Sequence, residues 1–320
     1  MPPKLKTDIL NRRSRFAGRQ PTGKKIVLGE RDFGYFSTLE RHGVLPATYL
    51  YEFTKSLARN HKGHQQRLTD LYNEDNTPHR SWYLNRPEQQ YASINARYQS
   101  MAYELDTLGH RALRDKGIPR QMWEPPNGPY LHRFMTGCIT ASIELACRDK
   151  GLKYLSQADI FGHPKCPADL KISDSPLALP YGNGVIIPDQ IFGIDYGGKY
   201  RFFALEADRK TETIVSTKAM AKSFAKKLES YIHVLEHQTF REAWGIPTLS
   251  ILTVTTSEAH MKSMINQLDH LADNDKIAAR FLFKSKAQFG KYWTVPDVMC
   301  DLLTDPWVRV GTALNIGEPK

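Results

Sequence analysis

The chain has 320 residues, of which 41% are hydrophobic and 24% are charged, as in ordinary soluble globular proteins. No apolar run reaches about 18 residues, which excludes a membrane span, and no apolar core follows the basic amino terminus, which excludes a secretory signal. The four cysteines include no CxxC pair, which argues against a disulfide framework and, with the other two features, predicts a cytoplasmic protein. Its 44 Lys and Arg against 34 Asp and Glu give a net charge of +10, which favours a polyanionic partner such as nucleic acid.

The amino-terminal third of the chain predicts a basic tail followed by a small helical domain. Residues 1–30 are polar, without hydrophobic periodicity, and we expect a flexible tail that is either simply solvated or orders on DNA as a phosphate-gripping arm. From Asp32 the apolar spacing is helical; Gly43 ends a first helix and Pro46 opens a second. A polar helix, a hairpin and a long amphipathic helix from Tyr91 to Leu113 follow. This order predicts a winged helix-turn-helix domain over residues 31–116.

The polar third helix has the side chains that a DNA-reading helix needs. Long donors and amides reach base edges and phosphates in the major groove. The candidates on this helix and on the predicted wing are Lys62, His64, Gln65, Gln66, Arg67, Arg80 and Arg86. The alternative is a small helical domain whose polar face is only solvated.

A second domain is expected to begin after the segment 117–130, which holds four prolines and two glycines and reads as a linker. Over residues 131–320 the pattern predicts a helix at 132–150, paired strands at 185–195 and 199–208, and a helix at 217–237. A strand at 248–256, a helix at 259–274 and a strand at 279–286 complete the pattern. Strands alternating with helices after a hairpin indicate a mixed α/β sheet domain.

Three carboxylates in this domain form the candidate chemistry. Asp189 follows a proline, and Glu206 and Asp208 end an apolar strand on the same face, because strand side chains alternate. If the preceding strand, 185–195, pairs with this strand as a hairpin, Asp189 falls near Glu206 and Asp208. Clustered carboxylates are costly unless a cation neutralises them, and oxygen-only ligation suits Mg²⁺ or Mn²⁺. Such an ion polarises a phosphoryl oxygen and activates water. The alternative is that these acids only cap the strand or form ion pairs.

A lysine is wanted beside the metal to position or activate the water. Lys227, on the helix that follows the strand, is the preferred candidate for this role. Lys210, Lys222 and Lys226 compete with it.

At these residues the chain resembles known nucleases. The order of Pro188-Asp189, an apolar strand ending in Glu206-Ala-Asp208 and a lysine-bearing helix is similar to the PD-(D/E)xK superfamily. More specifically, the segments around Asp189 and Glu206, with Lys227 and Tyr231 on the helix, resemble the replication-relaxation family over about residues 32–240. That family includes plasmid replication and DNA-relaxation proteins and one class of mobilisation relaxases. The resemblance implies a winged-helix region joined to a restriction-endonuclease-like region.

The chain departs from the simple pattern where Asp208 stands in place of the lysine. Three explanations stay open: the lysine has moved to Lys227, the true motif is Asp208-Arg209-Lys210 in shifted register, or the site no longer cleaves. Strand phase favours the first. Accessory candidates are His132, Glu144 and Tyr231, the last as a covalent nucleophile of a relaxase. Each has a plain structural alternative: a helix cap, a solvated helix residue and a core aromatic.

The sequence therefore predicts a Mg²⁺- or Mn²⁺-dependent protein that nicks or cleaves DNA in replication or mobilisation of a plasmid, phage or similar element. Its expected partners are DNA and either a second copy of the chain or a larger replication or mobilisation complex. A non-catalytic DNA-binding initiator or regulator that retains a nuclease-like fold is the alternative from another class.

Overall fold

A computed structural model describes residues 18–58, 60–74, 81–91, 99–118, 120, 129–209, 217–290, 294–311 and 313–318, without the side chains of 171–172 and 217–223. The chain forms two compact units: Met1–Arg120 with Trp293–Asp297, and Gln121–Tyr292 with Val298–Lys320. The division falls inside the segment proposed as a linker, and the return of Trp293–Asp297 to the first unit was not predicted. No helix among the described residues is long and apolar enough to cross a bilayer.

The first unit combines helices with a small antiparallel sheet. Its elements are α1 (Glu30–His42), β1 (Leu45–Pro46), α2 (Ala47–Thr54), α3 (His61–Asn73), β2 (Leu84–Asn85), β3 (Ala102–Leu105) and α4 (Thr107–Asp115). The strand order is β1-β3-β2, with Leu45 opposite Tyr103 and Leu84 opposite Leu105. A short chain segment, Trp293–Asp297, joins this unit, where Asp297 accepts a hydrogen bond of 2.9 Å from the Tyr49 hydroxyl.

The predicted helix from Tyr91 to Leu113 is wrong in its middle. Ala102–Leu105 is the central strand β3, because pairing on both sides outweighs the local helical pattern. The helix starts only at Thr107, where the Asp106 side chain accepts the Thr107 N–H at 2.7 Å and caps it. Residues 92–98 lie outside the described residues.

The predicted flexible tail is too long. Residues 18–29 are held on the first unit, chiefly by Arg19, whose guanidinium lies between the rings of Tyr72 and Trp82 at 4.4 and 4.3 Å. Arg19 also pairs with Asp106 at 2.9 Å, and Lys24 pairs with Asp70. Since these cations are used within the unit, we do not count them as phosphate contacts. Residues 1–17 lie outside the described residues.

The second unit is built on a five-stranded mixed sheet. Its elements are α5 (Tyr130–Asp149), β4 (Lys153–Leu155), α6 (Gln157–Gly162), β5 (Leu179–Tyr181), β6 (Gly184–Ile186), β7 (Gln190–Asp195), β8 (Tyr200–Asp208), α7 (Thr217–His237), α8 (Thr239–Trp244), β9 (Ser250–Thr255), α9 (Glu258–Leu271), α10 (Asp275–Ala278), β10 (Phe281–Ser285) and α11 (Asp301–Thr304). The predicted hairpin, both later strands and the helices around them are confirmed, and so is a mixed α/β fold.

The sheet brings several chain segments to one edge. Its order is β10-β9-β8-β7-β4; β8, β9 and β10 run parallel, whereas β7 is antiparallel to β8 and β4. The carboxyl ends of the three parallel strands therefore lie at the same edge as the start of β7. The sheet carries buried core side chains such as Phe192, Phe203 and Ile251. Polar groups at this edge are consequently held by a rigid core.

Candidate active site

Asp189 is fixed beside the end of β8 by its backbone and its side chain. Its N–H donates to the carbonyl of Leu205, the register partner of Gln190, at 3.0 Å. Its Oδ2 accepts the N–H of Ala207 at 2.7 Å. The carboxylate therefore reaches across to the strand that carries Glu206, as the hairpin spacing predicted.

Glu206 is the buried carboxylate of the site, with 4% of its surface exposed. Its two oxygens accept hydrogen bonds from the Lys227 ammonium and the Tyr231 hydroxyl, which stand one turn apart on α7. Burial raises the pKa of Glu206 to about 7, against the attraction of Lys227 and with a further rise from the charge of Asp189. This carboxyl is therefore protonated far more readily than an ordinary glutamate.

The positive charge of Lys227 is stabilised by more than one carboxylate. Burial lowers its pKa, but the charges of Glu206 and Asp189 outweigh that effect, and the net pKa is raised, with a smaller contribution from Asp208. The side chain keeps 41% of its surface exposed. The amine is thus charged, close to the carboxylates and open to solvent, which is the placement that a water- or phosphate-positioning group requires.

His132, near the start of α5, completes this group. Its Nε2 lies 2.9 Å from Asp189 Oδ1. Burial opposes the charged imidazole, but the hydrogen bond and charge of Asp189 raise its pKa overall. We refer to His132, Asp189, Glu206, Lys227 and Tyr231 as the α5–α7 site.

Asp208 does not join these carboxylates. It lies 2.9 Å from His260 Nε2, on α9. The described residues include no group of three His, Cys, Asp or Glu side chains placed to hold one ion. The predicted three-carboxylate cluster is therefore corrected to the pair Asp189 and Glu206, because Asp208 lies two positions further along the strand, about 7 Å from Glu206, and each of the two finds its own basic partner.

The other accessory candidates are placed as follows. Glu144 forms an ion pair with Arg148 at 2.6 Å. It lies twelve residues after His132 on α5, which is about 18 Å along the helix, so it is not part of the site. Tyr231 is 1% exposed and directs its hydroxyl at Glu206. Lys226 is exposed; Lys210 and the Lys222 side chain lie outside the described residues.

His260 is the site residue that sequence reasoning missed. It stands in the first turn of α9, where the Ser257 side chain accepts its N–H at 3.1 Å. The available signal was topological: β9 is parallel to β8, so the helix after β9 begins at the edge where Asp208 lies. No short motif marks it.

The candidate DNA-binding residues of α3 divide into two groups. Lys62, Gln65 and Gln66 are exposed and fall at helical spacing on one face. His64 is fully buried, 2.8 Å from both the Tyr35 hydroxyl and the Ala47 carbonyl, and burial lowers its pKa to about 4. We therefore remove His64 from the predicted interface.

Two of the predicted arginines make contacts within the first unit. Arg67 forms a two-pronged ion pair with Asp32, at 2.8 and 2.6 Å, and we remove it from the predicted interface as well. Arg86 donates to the Tyr103 hydroxyl at 2.8 Å and lies 4.2 Å from the centre of the Tyr72 ring. Arg80 lies outside the described residues.

Comparison with known proteins gives one match. A family model described as replication-relaxation matches residues 36–249, a span that contains the α5–α7 site and ends before His260. The resemblance to that family is confirmed. Neither the comparison with curated proteins nor that with solved structures finds a match.

Proposed function

The chain belongs to the replication-relaxation family, and we propose that it is a metal-dependent protein that nicks or cleaves DNA, as a relaxase or endonuclease. Its setting would be replication or mobilisation of a plasmid, phage or similar element. The observation that carries the proposal is the meeting of Asp189, Glu206 and Lys227 at one sheet edge. A lysine on the following helix thus pairs with the acidic strand residue of the PD-(D/E)xK pattern, and this supports a nuclease-like fold.

The residues present fit a hard divalent cation. Asp189 and Glu206 offer oxygen donors only, and their charges already act on one another. Mg²⁺ is commonly bound by one or two carboxylates, with water and substrate phosphate as the remaining ligands. When bound by Asp189 and Glu206, Mg²⁺ or Mn²⁺ would polarise the phosphoryl oxygen and lower the pKa of a coordinated water.

The protein's own residues prepare the site for a phosphodiester. The Lys227 ammonium donates hydrogen bonds and can orient the attacking water or a phosphate oxygen. His132 holds the Asp189 carboxylate at 2.9 Å and adds a second donor. Tyr231 fixes Glu206 from the core side; because it is buried and bonded to that carboxylate, we assign it an orienting role rather than that of a nucleophile.

The first unit supplies DNA binding in this proposal. The order α1, β1, α2, α3, β2, β3 is that expected of a winged helix-turn-helix, with α3 as the recognition helix. Its exposed face carries Lys62, Gln65 and Gln66. A cation for phosphates and the Gln65 amide for base edges suit a helix that enters a major groove, whereas the Gln66 amide already donates to Asp70 at 2.8 Å.

Replacing Asp189 with asparagine tests the enzymatic proposal. With supercoiled DNA and Mg²⁺ or Mn²⁺, the wild type is expected to give nicked or linear products, and Asp189→Asn to give none above background, because one of two metal-binding carboxylates is lost. Gel electrophoresis measures both. Asp195→Asn, at the other end of β7, is the matched control. Equal activity in wild type and Asp189→Asn, or none with either metal, would remove the enzyme assignment.

Truncation of Lys62 tests the interface. We expect Lys62→Ala to weaken binding to all duplexes alike and to reduce the slope of log affinity against log salt by about 1, as loss of one phosphate contact does. Fluorescence anisotropy over a salt series measures this. Arg114→Ala, an exposed cation on α4, should leave the slope unchanged; an equal effect of both variants would show only general charge attraction.

The second candidate, a non-catalytic DNA-binding initiator or regulator, is favoured by one observation. Asp189, Glu206 and Asp208 each have a basic partner from the protein itself, in His132, Lys227 and His260. These basic side chains offset the negative charges, so the carboxylates are stable without a metal. Binding without cleavage in the Asp189→Asn experiment, for wild type and variant alike, would support this candidate.

A further inference from the structure

The pair formed by Asp208 and His260 is not used by the α5–α7 site. Asp208 ends β8, His260 stands in the first turn of α9, and Asp208 Oδ2 lies 2.9 Å from Nε2 of the ring. Both side chains are partly exposed, at 29% and 20%. The pair therefore presents a held imidazole to solvent at the sheet edge.

The surroundings of the pair have unused hydrogen-bonding capacity. Thr255 is the register partner of Asp208 on β9, so both side chains project from the same face. The Thr255 hydroxyl is fully buried, and it has no hydrogen-bond partner among the described residues. A buried polar group left unpaired costs about 1–3 kcal/mol, and such groups are commonly met by water or a ligand. The hydroxyl therefore has hydrogen-bonding capacity that a water molecule or a ligand atom can take up.

The pair is also close to the α5–α7 site. The charge of Asp208 contributes to the raised pKa of Lys227, as do Glu206 and Asp189. Glu206 and Asp208 are two residues apart on one strand and face the same side, at about 7 Å along it. A chain of phosphates that reaches Lys227 can therefore continue to His260.

We propose that His260 binds a backbone phosphate of the DNA strand that occupies the α5–α7 site, with Asp208 as its positioning residue. An imidazole between a carboxylate and a phosphate can donate one N–H to each when both ring nitrogens carry a proton. In this arrangement Nε2–H stays on Asp208 and Nδ1–H points to the phosphate. The inference rests on the proposed function in that it assumes DNA at this edge, and it adds a contact outside the matched family region.

The test measures binding of the full chain to fluorescent (dT)12 without metal, over a salt series. His260→Gln is expected to weaken binding roughly tenfold, as loss of a charged hydrogen bond does. It should also reduce the salt slope by about 0.7, the value for one phosphate contact on a single strand. Asp208→Ala should weaken binding in the same direction, because the ring loses the oxygen that anchors Nε2.

Controls separate this contact from a structural role. His270→Gln, an exposed histidine at the far end of α9, should leave affinity and slope unchanged. His260→Lys should restore the slope, because a cation returns to the same position; this variant also decides the matter if His260→Gln fails to fold. No binding by the wild type, or an unchanged slope in His260→Gln, overturns the inference. Because no metal is present, failure of cleavage leaves this result untouched.

Discussion

Replacing Lys227 with methionine is expected to slow DNA cleavage by on the order of 10²–10³-fold, the range lost when one positioned hydrogen-bond donor is removed from a reaction site. Methionine keeps the apolar stem but removes the ammonium that Glu206 and Asp189 hold at the site. The rate of nicking under single-turnover conditions with Mg²⁺ measures the loss. The contribution of the α3 face to DNA binding should not change, because that face is untouched.

The matched control is Lys226→Met, which removes the same charge from the exposed neighbour on α7. Lys227→Met should also lower the free energy of unfolding by about 1–2 kcal/mol, since Glu206 keeps no cation. That is less than the 3–5 kcal/mol for a fully buried pair, because Lys227 is 41% exposed and solvent screens it. Equal cleavage by the Lys226 and Lys227 variants would contradict the role assigned to Lys227.

Local periodicity was enough to predict the hairpin, the two later strands and the long helices of the second unit, but not its short strands β4, β5 and β6. The β7–β8 hairpin joins two apolar strands across a Gly197-Gly198 turn, and α7 spans the predicted residues 217–237. Because strand phase fixes facing side chains, Asp189 and Glu206 could be placed together from sequence alone. Lys227 followed from the same reasoning, since one helix turn separates it from Tyr231.

Contacts distant in sequence explain what was missed. His64 looked like a polar helix residue, but its ring bonds Tyr35 and Ala47 in the core. Arg19 looked like part of a solvated tail, yet its partners lie more than fifty residues away. His260 meets Asp208 only because β9 runs parallel to β8. Charged and polar residues carry no pattern that tells a solvated side chain from one satisfied by a distant partner.

The Glu206→Gln variant should separate the role of this buried carboxylate in DNA cleavage from its effect on the free energy of unfolding. We expect cleavage to fall by at least on the order of 10²-fold, since even outer groups around a metal contribute 10- to 100-fold. Glutamine keeps a carbonyl oxygen for Lys227 and Tyr231 but loses the negative charge that a metal needs. Asp195→Asn again serves as the control for removal of a carboxylate from the same sheet.

Stability should respond to pH in a defined direction. The folded pKa of Glu206, about 7, lies above the ordinary value of 4.5, so the folded state holds a proton that the unfolded chain releases. The stability that this proton gives is complete below pH 4.5 and is lost as pH rises through about 7. The free energy of unfolding should thus fall over this window by as much as about 3 kcal/mol in the wild type relative to Glu206→Gln.

The difference between the two proteins isolates this group. His64, with a pKa of about 4 in the fold, acts in the opposite direction, because the unfolded chain takes up its proton as pH falls below 6.5. His132 has a raised pKa and loses its stabilising effect only as pH rises above 6.5. Both are present in wild type and variant, so their contributions largely cancel when the two denaturation curves are subtracted. If the difference in free energy of unfolding between wild type and variant stays constant between pH 4.5 and 6.5, Glu206 is already ionised in that range. The attraction of Lys227 would then fully offset the effect of burial on this carboxylate.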